Sequence, residues 1–309
     1  MHIVVLGAAA GGGFPQWNTN SDNCRRSRGG DPNARPQTQS SIAVSADGER
    51  WCLFNASPDL RQQIADNRQL HPKTGKRHSP IVGVVLTNGD VDHVAGLLNL
   101  RESQPLALYG SRRVLQNLSD NSIFNVLNPD FVARRDFALD QPFALTTRDG
   151  EDIGLSVEAF AVPGKVALYL ENPDAGANFG TQAEDTVGLR ISARNSDAHF
   201  FHIPGCAAMT PELAERLKGA PLVMFDGTLW TDDEMVAGGV GVKTGQRMGH
   251  MSMSGPDGSI AAFDGLDVAR RMFIHINNTN PVIVDDSPER AEVEAAGWEV
   301  ARDGMEIEL

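Results

Sequence analysis

The chain has 309 residues, a net charge of −13 and a hydrophobic content of 41 %. That apolar content supports a sizeable core and excludes a disordered or fibrous chain. The acidic balance leaves no general electrostatic footprint for nucleic acid, and no apolar run reaches the roughly 18–20 residues that cross a bilayer.

Strand patterns recur along the chain. They fall at Ile3–Leu6, Ser41–Val44, Trp51–Phe54, Ile81–Leu86, Ala107–Tyr109, Leu155–Ala161, Val187–Ser192, His199–Ile203, Leu222–Phe225, Met272–His275 and Ile283–Asp285. Many are β-branched and end at Gly, Asn, Asp or Pro, which is strand punctuation. Helical patterns lie between them at Asp59–Asn67, Val94–Glu102, Ser111–Asp120, Thr210–Lys218, Gly258–Phe263, Gly265–Arg271 and Pro288–Ala296. Thr210-Pro211-Glu212 is an N-cap followed by proline at the first helical position. Strands come in clusters with helices inserted among them. That order predicts an α/β sandwich of two facing mixed sheets with helices outside, read as a single domain over residues 1–309.

Two polar stretches, Asn18–Gln39 and Asn172–Asp185, read as loops. The first carries Arg25, Arg26, Arg28 and Arg35, which suits either a solvated loop or a lid that receives an anion. The N-terminus lacks a positive start and runs from Ile3 straight into glycines, as a first strand does and a signal peptide does not. Cys24, Cys52 and Cys206 form no disulfide framework, so a reduced, cytoplasmic protein with no membrane partner is expected. The run Gly7–Gly13 is no dinucleotide fingerprint, because Phe14-Pro15 and a polar loop follow where a helix is required. His199 and His202 stand three apart on one strand and therefore face opposite ways.

The chemistry concentrates in one loop. Ile81–Leu86 reads as a buried strand leading into Thr87-Asn88-Gly89-Asp90-Val91-Asp92-His93 and then a helix. Taken alone, this is either a divalent-metal loop or an Asp-rich turn whose Asp92 caps the helix. The frame T-x-x-x-x-D-H resembles the metallo-β-lactamase superfamily signature T-H-x-H-x-D-H. Phe225-Asp226-Gly227-Thr228, Gly249-His250 and Phe273-Ile274-His275 match later superfamily motifs in order. The resemblance implies an αββα fold in which Asp92, His93, Asp226 and His275 hold a metal. Asn88 and Asp90 stand where the superfamily has two further histidines, and none lies near Ala161-Val162-Pro163-Gly164. A dinuclear zinc hydrolase is therefore disfavoured, and one divalent ion is expected. Two imidazoles with a carboxylate suit non-haem iron(II), while zinc and manganese stay open. Asp90 would add a carboxylate or orient a ligand.

The whole chain is similar to the coenzyme PQQ biosynthesis protein B family. The carrying segments are MHIVVLGAAAGGGFPQWN, Cys24-Arg25-Arg26, the Thr87–His93 loop, Val162–Val166, Leu168–Glu171, His202–Ala208, Asp226–Thr228, Met248–Met251 and His275–Pro281. The resemblance implies iron-dependent hydroxylation of the tyrosine ring of a cross-linked Glu–Tyr intermediate, with dioxygen as co-substrate. Asp90 and His250 are the catalytic candidates. Arg25, Arg26 and Lys165 are candidates for binding the substrate's carboxylates. A carrier of finished pyrroloquinoline quinone (PQQ) and a metal-dependent hydrolase are the alternatives, and other pathway proteins are candidate partners. Ring hydroxylation by dioxygen also needs a reductant, for which the sequence offers no flavin or reductase motif. Many family members carry W-N-C-N-C-x-x-C, fit for a structural zinc. Here Trp17-Asn18-Thr19-Asn20-Ser21-Asp22-Asn23-Cys24 keeps only Cys24, so that zinc is expected to be absent or much weakened.

Overall fold

Alternation of apolar side chains sets the layers. In β1 (His2–Gly7), Ile3 and Val5 face one core while Val4 and Leu6 face another. The computed structural model describes residues 1–176 and 178–309; the polar stretch Asn172–Asp185 thus includes one residue, Ala177, outside the described set. The strands that follow are β2 (Ser41–Ser45), β3 (Trp51–Phe54), β4 (Ile81–Val85), β5 (Leu106–Ser111), β6 (Val132–Phe137) and β7 (Phe143–Thr146). Then come β8 (Asp152–Ala161), β9 (Val187–Ala193), β10 (His199–Ile203), β11 (Val223–Asp226), β12 (Arg271–Ile274), β13 (Trp298–Val300) and β14 (Glu306–Glu308).

Two seven-stranded sheets result, in the orders β14-β1-β2-β3-β4-β5-β6 and β13-β12-β11-β10-β9-β8-β7. Each is mixed. Strands β3 to β6 are parallel, as are β10 to β13, and the other pairings are antiparallel. Between the sheets pack Ile42, Val44, Phe54 and Val85 against Leu155, Val157, Leu189, Ile191 and Met224. Each such fully buried side chain is worth roughly 1.5–3 kcal/mol. Helices cover the outer faces. Val114, Leu115 and Leu118 of Arg112–Asp120 seal the first sheet, and Leu213, Leu217 and Val293 seal the second. This is the expected αββα sandwich. Among the described residues no helix is long and apolar enough to cross a membrane.

The departures from the sequence reading have local causes. Ile283–Asp285 is not a strand. Pro281 opens a 3-10 turn, and the Asn280 side chain caps it through the Val282 N–H. Gly265–Arg271 is not a helix, because Gly265 and Asp267 both take positive φ and the chain enters β12. The stretch Asn18–Gln39 contains a helix, Asp22–Arg28. Strands β6, β7, β13 and β14 lie outside the strand patterns of the sequence, and all four are sheet edges. Edge strands are short and tolerate charge, as Arg134, Arg135 and Asp136 of β6 and Glu306 and Glu308 of β14 show.

Candidate metal centre

Parallel strands end on the same side, so their carboxyl ends form one rim. Asp226 closes β11, and His275 follows β12 on that rim. Across the cleft, the loop after β4 turns into the helix Val91–Val94, which presents Asp92 and His93. The two sheets thereby bring together residues 183 positions apart: His275 Nε2 lies 3.1 Å from Asp92 Oδ2. His93 Nε2 lies 3.8 Å from the same oxygen.

Asp92, His93 and His275 form a group whose candidate ligand atoms all lie within 4.8 Å of one another. Asp226, His250 and His275 form a second. The first group fits a metal better. His93 Nε2 is buried and has no hydrogen-bond partner. An orphaned buried acceptor aimed at a carboxylate and a second imidazole is a donor set waiting for a cation. Burial holds the His93 pKa down against the attraction of Asp92, so the ring is in the neutral form that ligates. Asp226, the other carboxylate expected at the metal, is heavily hydrogen-bonded: Oδ1 accepts from Thr228 N and Oγ1, and Oδ2 accepts from Cys206 N and His250 Nδ1. It organises the site and belongs to the second group.

Thr228 is the hub. Its Oγ1 lies 2.6 Å from Asp226 Oδ1 and 2.8 Å from His275 Nδ1. A hydroxyl that donates to the carboxylate accepts from His275 Nδ1–H, which orients the ring with Nε2 toward Asp92. On the other side Asn55 holds Thr87, whose Oγ1 stands 3.4 Å from His93 Nδ1. His275 has φ +63°, a strained backbone for a residue without a short polar cap. Burial disfavours a charged His275, but the hydrogen bond and charge of Asp92 outweigh it and raise the pKa. Gly11 leaves room for Asp92, since a Cβ there would stand 3.3 Å from Asp92 Oδ2.

A cavity of about 410 Å³ opens over this group. Lys165, Lys243, Asp90, His250 and Thr228 line its polar side, and Leu168, Met235 and Met248 its apolar side. Asp90 does not join the ligand group. Its Oδ1 accepts from Leu168 N, and its side chain stands at the mouth. His250 commits Nδ1 to Asp226 and stacks on His275 at 5.3 Å. Asn88, at a superfamily histidine position, accepts from Asp90 N and belongs to neither ligand group.

Arg25 and Arg26 do not line this cavity, contrary to expectation. The helix Asp22–Arg28 turns them elsewhere. Arg25 pairs with Asp22, and Arg26 with Asp31 and Asp286. Cys24 is buried on that helix, 3.7 Å from Asn278 Oδ1. Lys165 is at the cavity as expected. Thr228 was visible only as part of a motif, and Lys243 carried no signal because it sits in a glycine-rich run. His202 is fully buried between the sheets, and neither ring nitrogen has a partner.

A family model for the beta-lactamase superfamily domain matches residues 50–276. Coenzyme PQQ synthesis protein B of Methylorubrum extorquens AM1 is 54 % identical over 309 residues, covering 100 % of both chains. The chain belongs to the coenzyme PQQ synthesis protein B family. Its Gluconacetobacter diazotrophicus relative is 56 % identical over 306 residues, covering 99 % of this chain and 98 % of that one. The crystal structure of Zn(2+)-bound PqqB from Methylobacterium extorquens superposes with a TM-score of 0.94 at 54 % identity over 100 % of both chains. That family member holds zinc, and in this chain Asp92, His93 and His275 bring their candidate ligand atoms within 4.8 Å of one another.

Proposed function

We propose that the protein serves PQQ biosynthesis as a mononuclear, metal-dependent oxygenase acting on a Glu–Tyr-derived intermediate. The observation that carries the reading is the Asp92–His93–His275 group, two imidazoles and one carboxylate, with the unpartnered His93 Nε2 beneath a substrate-sized cavity. Iron(II) held there would supply dioxygen activation, with coordination positions left open. Asp92 and the Nε2 atoms of His93 and His275 would hold it.

The remaining work belongs to the chain's own side chains. Thr228 and Thr87 fix the two imidazoles from behind. His250 has Nδ1 tied to Asp226, which leaves Nε2 to hold or pass a proton at the phenol. Lys165 faces the substrate's carboxylates, and Asp90 braces the loop at Leu168 N. Ring hydroxylation consumes dioxygen, two electrons and two protons, and releases water. The reductant is external or is the substrate itself.

The test is metal content and oxygen uptake on protein purified without oxygen, for wild type and His93→Ala. About one iron per chain, lost in the variant, with oxygen uptake on adding the intermediate, supports the reading. Full turnover by metal-free protein, or about two zinc ions per chain with no oxygen uptake, overturns it. Stoichiometric PQQ binding with no turnover points to a carrier.

A further inference from the structure

The cavity has a second chemical feature besides the imidazoles, the ammonium groups of Lys165 and Lys243. Glu171 is nearly buried, and Arg247 grips it with both nitrogens: Nη1 lies 3.0 Å from Oε1 and Nη2 2.6 Å from Oε2. The Arg247 guanidinium also stacks on the Phe179 ring at 3.7 Å. One edge of its fork is therefore committed to Glu171. Two more cations converge on the same carboxylate. Lys243 Nζ stands 3.7 Å and Lys165 Nζ 3.9 Å from Glu171 Oε1. Lys165 Nζ is also 3.9 Å from Asp90 Oδ1.

Those distances are attractive but too long for hydrogen bonds. Among the described residues neither ammonium has a hydrogen-bond partner, and both line the cavity. Three cations share Glu171, with Asp90 the other carboxylate beside Lys165. Three cations against two carboxylates leave a local excess of positive charge in a chain of net charge −13, in a cavity that Asp92 also lines. Backbone geometry supports the placement. Gly249 has φ +87°, and a Cβ there would press to 3.0 Å on Lys165 Cγ.

We infer that Lys165 and Lys243, held by the Glu171–Arg247 pair, form a carboxylate-binding subsite that seats a polycarboxylate ligand with its ring toward the imidazoles. Glu171 positions the two ammonium groups without exhausting their donors. Leu168, Met235 and Met248 supply the apolar walls that an aromatic body needs. The ligand's identity as a PQQ-pathway compound rests on the proposed function above; the subsite rests on the lysines.

The experiment is calorimetric titration of zinc-loaded protein with two probes. One is PQQ, an aromatic tricarboxylate. The other is tricarballylate, which carries three carboxylates and no ring. The proteins are wild type, Lys165→Met, Lys243→Met, the double variant and Lys243→Arg. Metal content of each is measured alongside, which separates loss of the subsite from loss of the fold. Each methionine variant should bind PQQ about tenfold or more weakly, with a shallower salt dependence in the double variant. Lys243→Arg should retain most of the affinity. A double variant that binds both probes with wild-type affinity and salt dependence overturns the subsite, even if PQQ binds tightly. Lysine-dependent binding of tricarballylate without binding of PQQ keeps the subsite and removes the pathway reading. Failure of both probes to bind wild type overturns the subsite.

Discussion

His275 Nε2 sits 3.1 Å from Asp92 Oδ2, although the two residues come from different sheets. In the metal-free protein that contact needs a proton on the imidazole, which is why the His275 pKa is raised despite burial. A metal must displace that proton.

Zinc uptake should therefore release protons and weaken as pH falls into the range where His275 is protonated. In Asp92→Asn the carboxylate's charge is gone, so both the affinity and this pH dependence should fall. Zinc titrations against a competing chelator between about pH 5 and pH 8 check this. Equal affinity and equal pH dependence in the two proteins would refute Asp92 as a ligand.

Thr228→Val keeps the shape of the side chain but removes the hydroxyl shared by Asp226 and His275. Metal affinity should drop about 10–100-fold with the fold intact, because the ligand ring loses its orienting partner. Thr228→Ser should recover most of the loss. Far-ultraviolet circular dichroism alongside chelator competition separates the two effects.

His202 lies between Phe200 and the neighbouring Met224 in the inter-sheet interior, with no partner for either ring nitrogen. Burial lowers its pKa to about 3, so it stays neutral. Replacing an unpaired buried imidazole by a hydrocarbon of similar size removes a desolvation penalty of about 1–3 kcal/mol. His202→Leu should leave stability unchanged or raise it in urea unfolding. A loss of several kcal/mol would show that the ring does hold a partner.

Asp303 gives a pH signature away from the metal. Burial raises its pKa to about 6, against the hydrogen bonds from Thr38 and Ala8 that favour the charged form. A carboxyl that is less acidic in the folded state binds its proton there more tightly than in the unfolded chain. Its contribution is full below the unfolded pKa and is lost as pH rises through about 6. Wild-type stability minus that of Asp303→Asn should therefore decline between about pH 4 and pH 6 and then level off. Unfolding by urea across that range measures the difference; a flat one would contradict the assigned shift.

The sequence by itself determined the central strands and pointed to the residues proposed as metal ligands. The inner strands are buried on both faces, so runs such as Ile81–Val85 and Val223–Phe225 declare themselves by composition alone. Asp92, His93 and His275 follow or close such strands, and their motifs were legible at once. What the tertiary structure decided is everything that depends on convergence. The edge strands β6, β7, β13 and β14 are completed by pairing with a neighbour that offers its open ladder. Arg25 and Arg26 looked suited to an anionic substrate, yet a short helix and the carboxylates of Asp22, Asp31 and Asp286 take them away from the cavity. Lys243 has no motif, and Glu171 and Arg247 gave no sign of pairing. Charge attraction across 76 positions joins Glu171 to Arg247, and only the folded chain brings those charges into range.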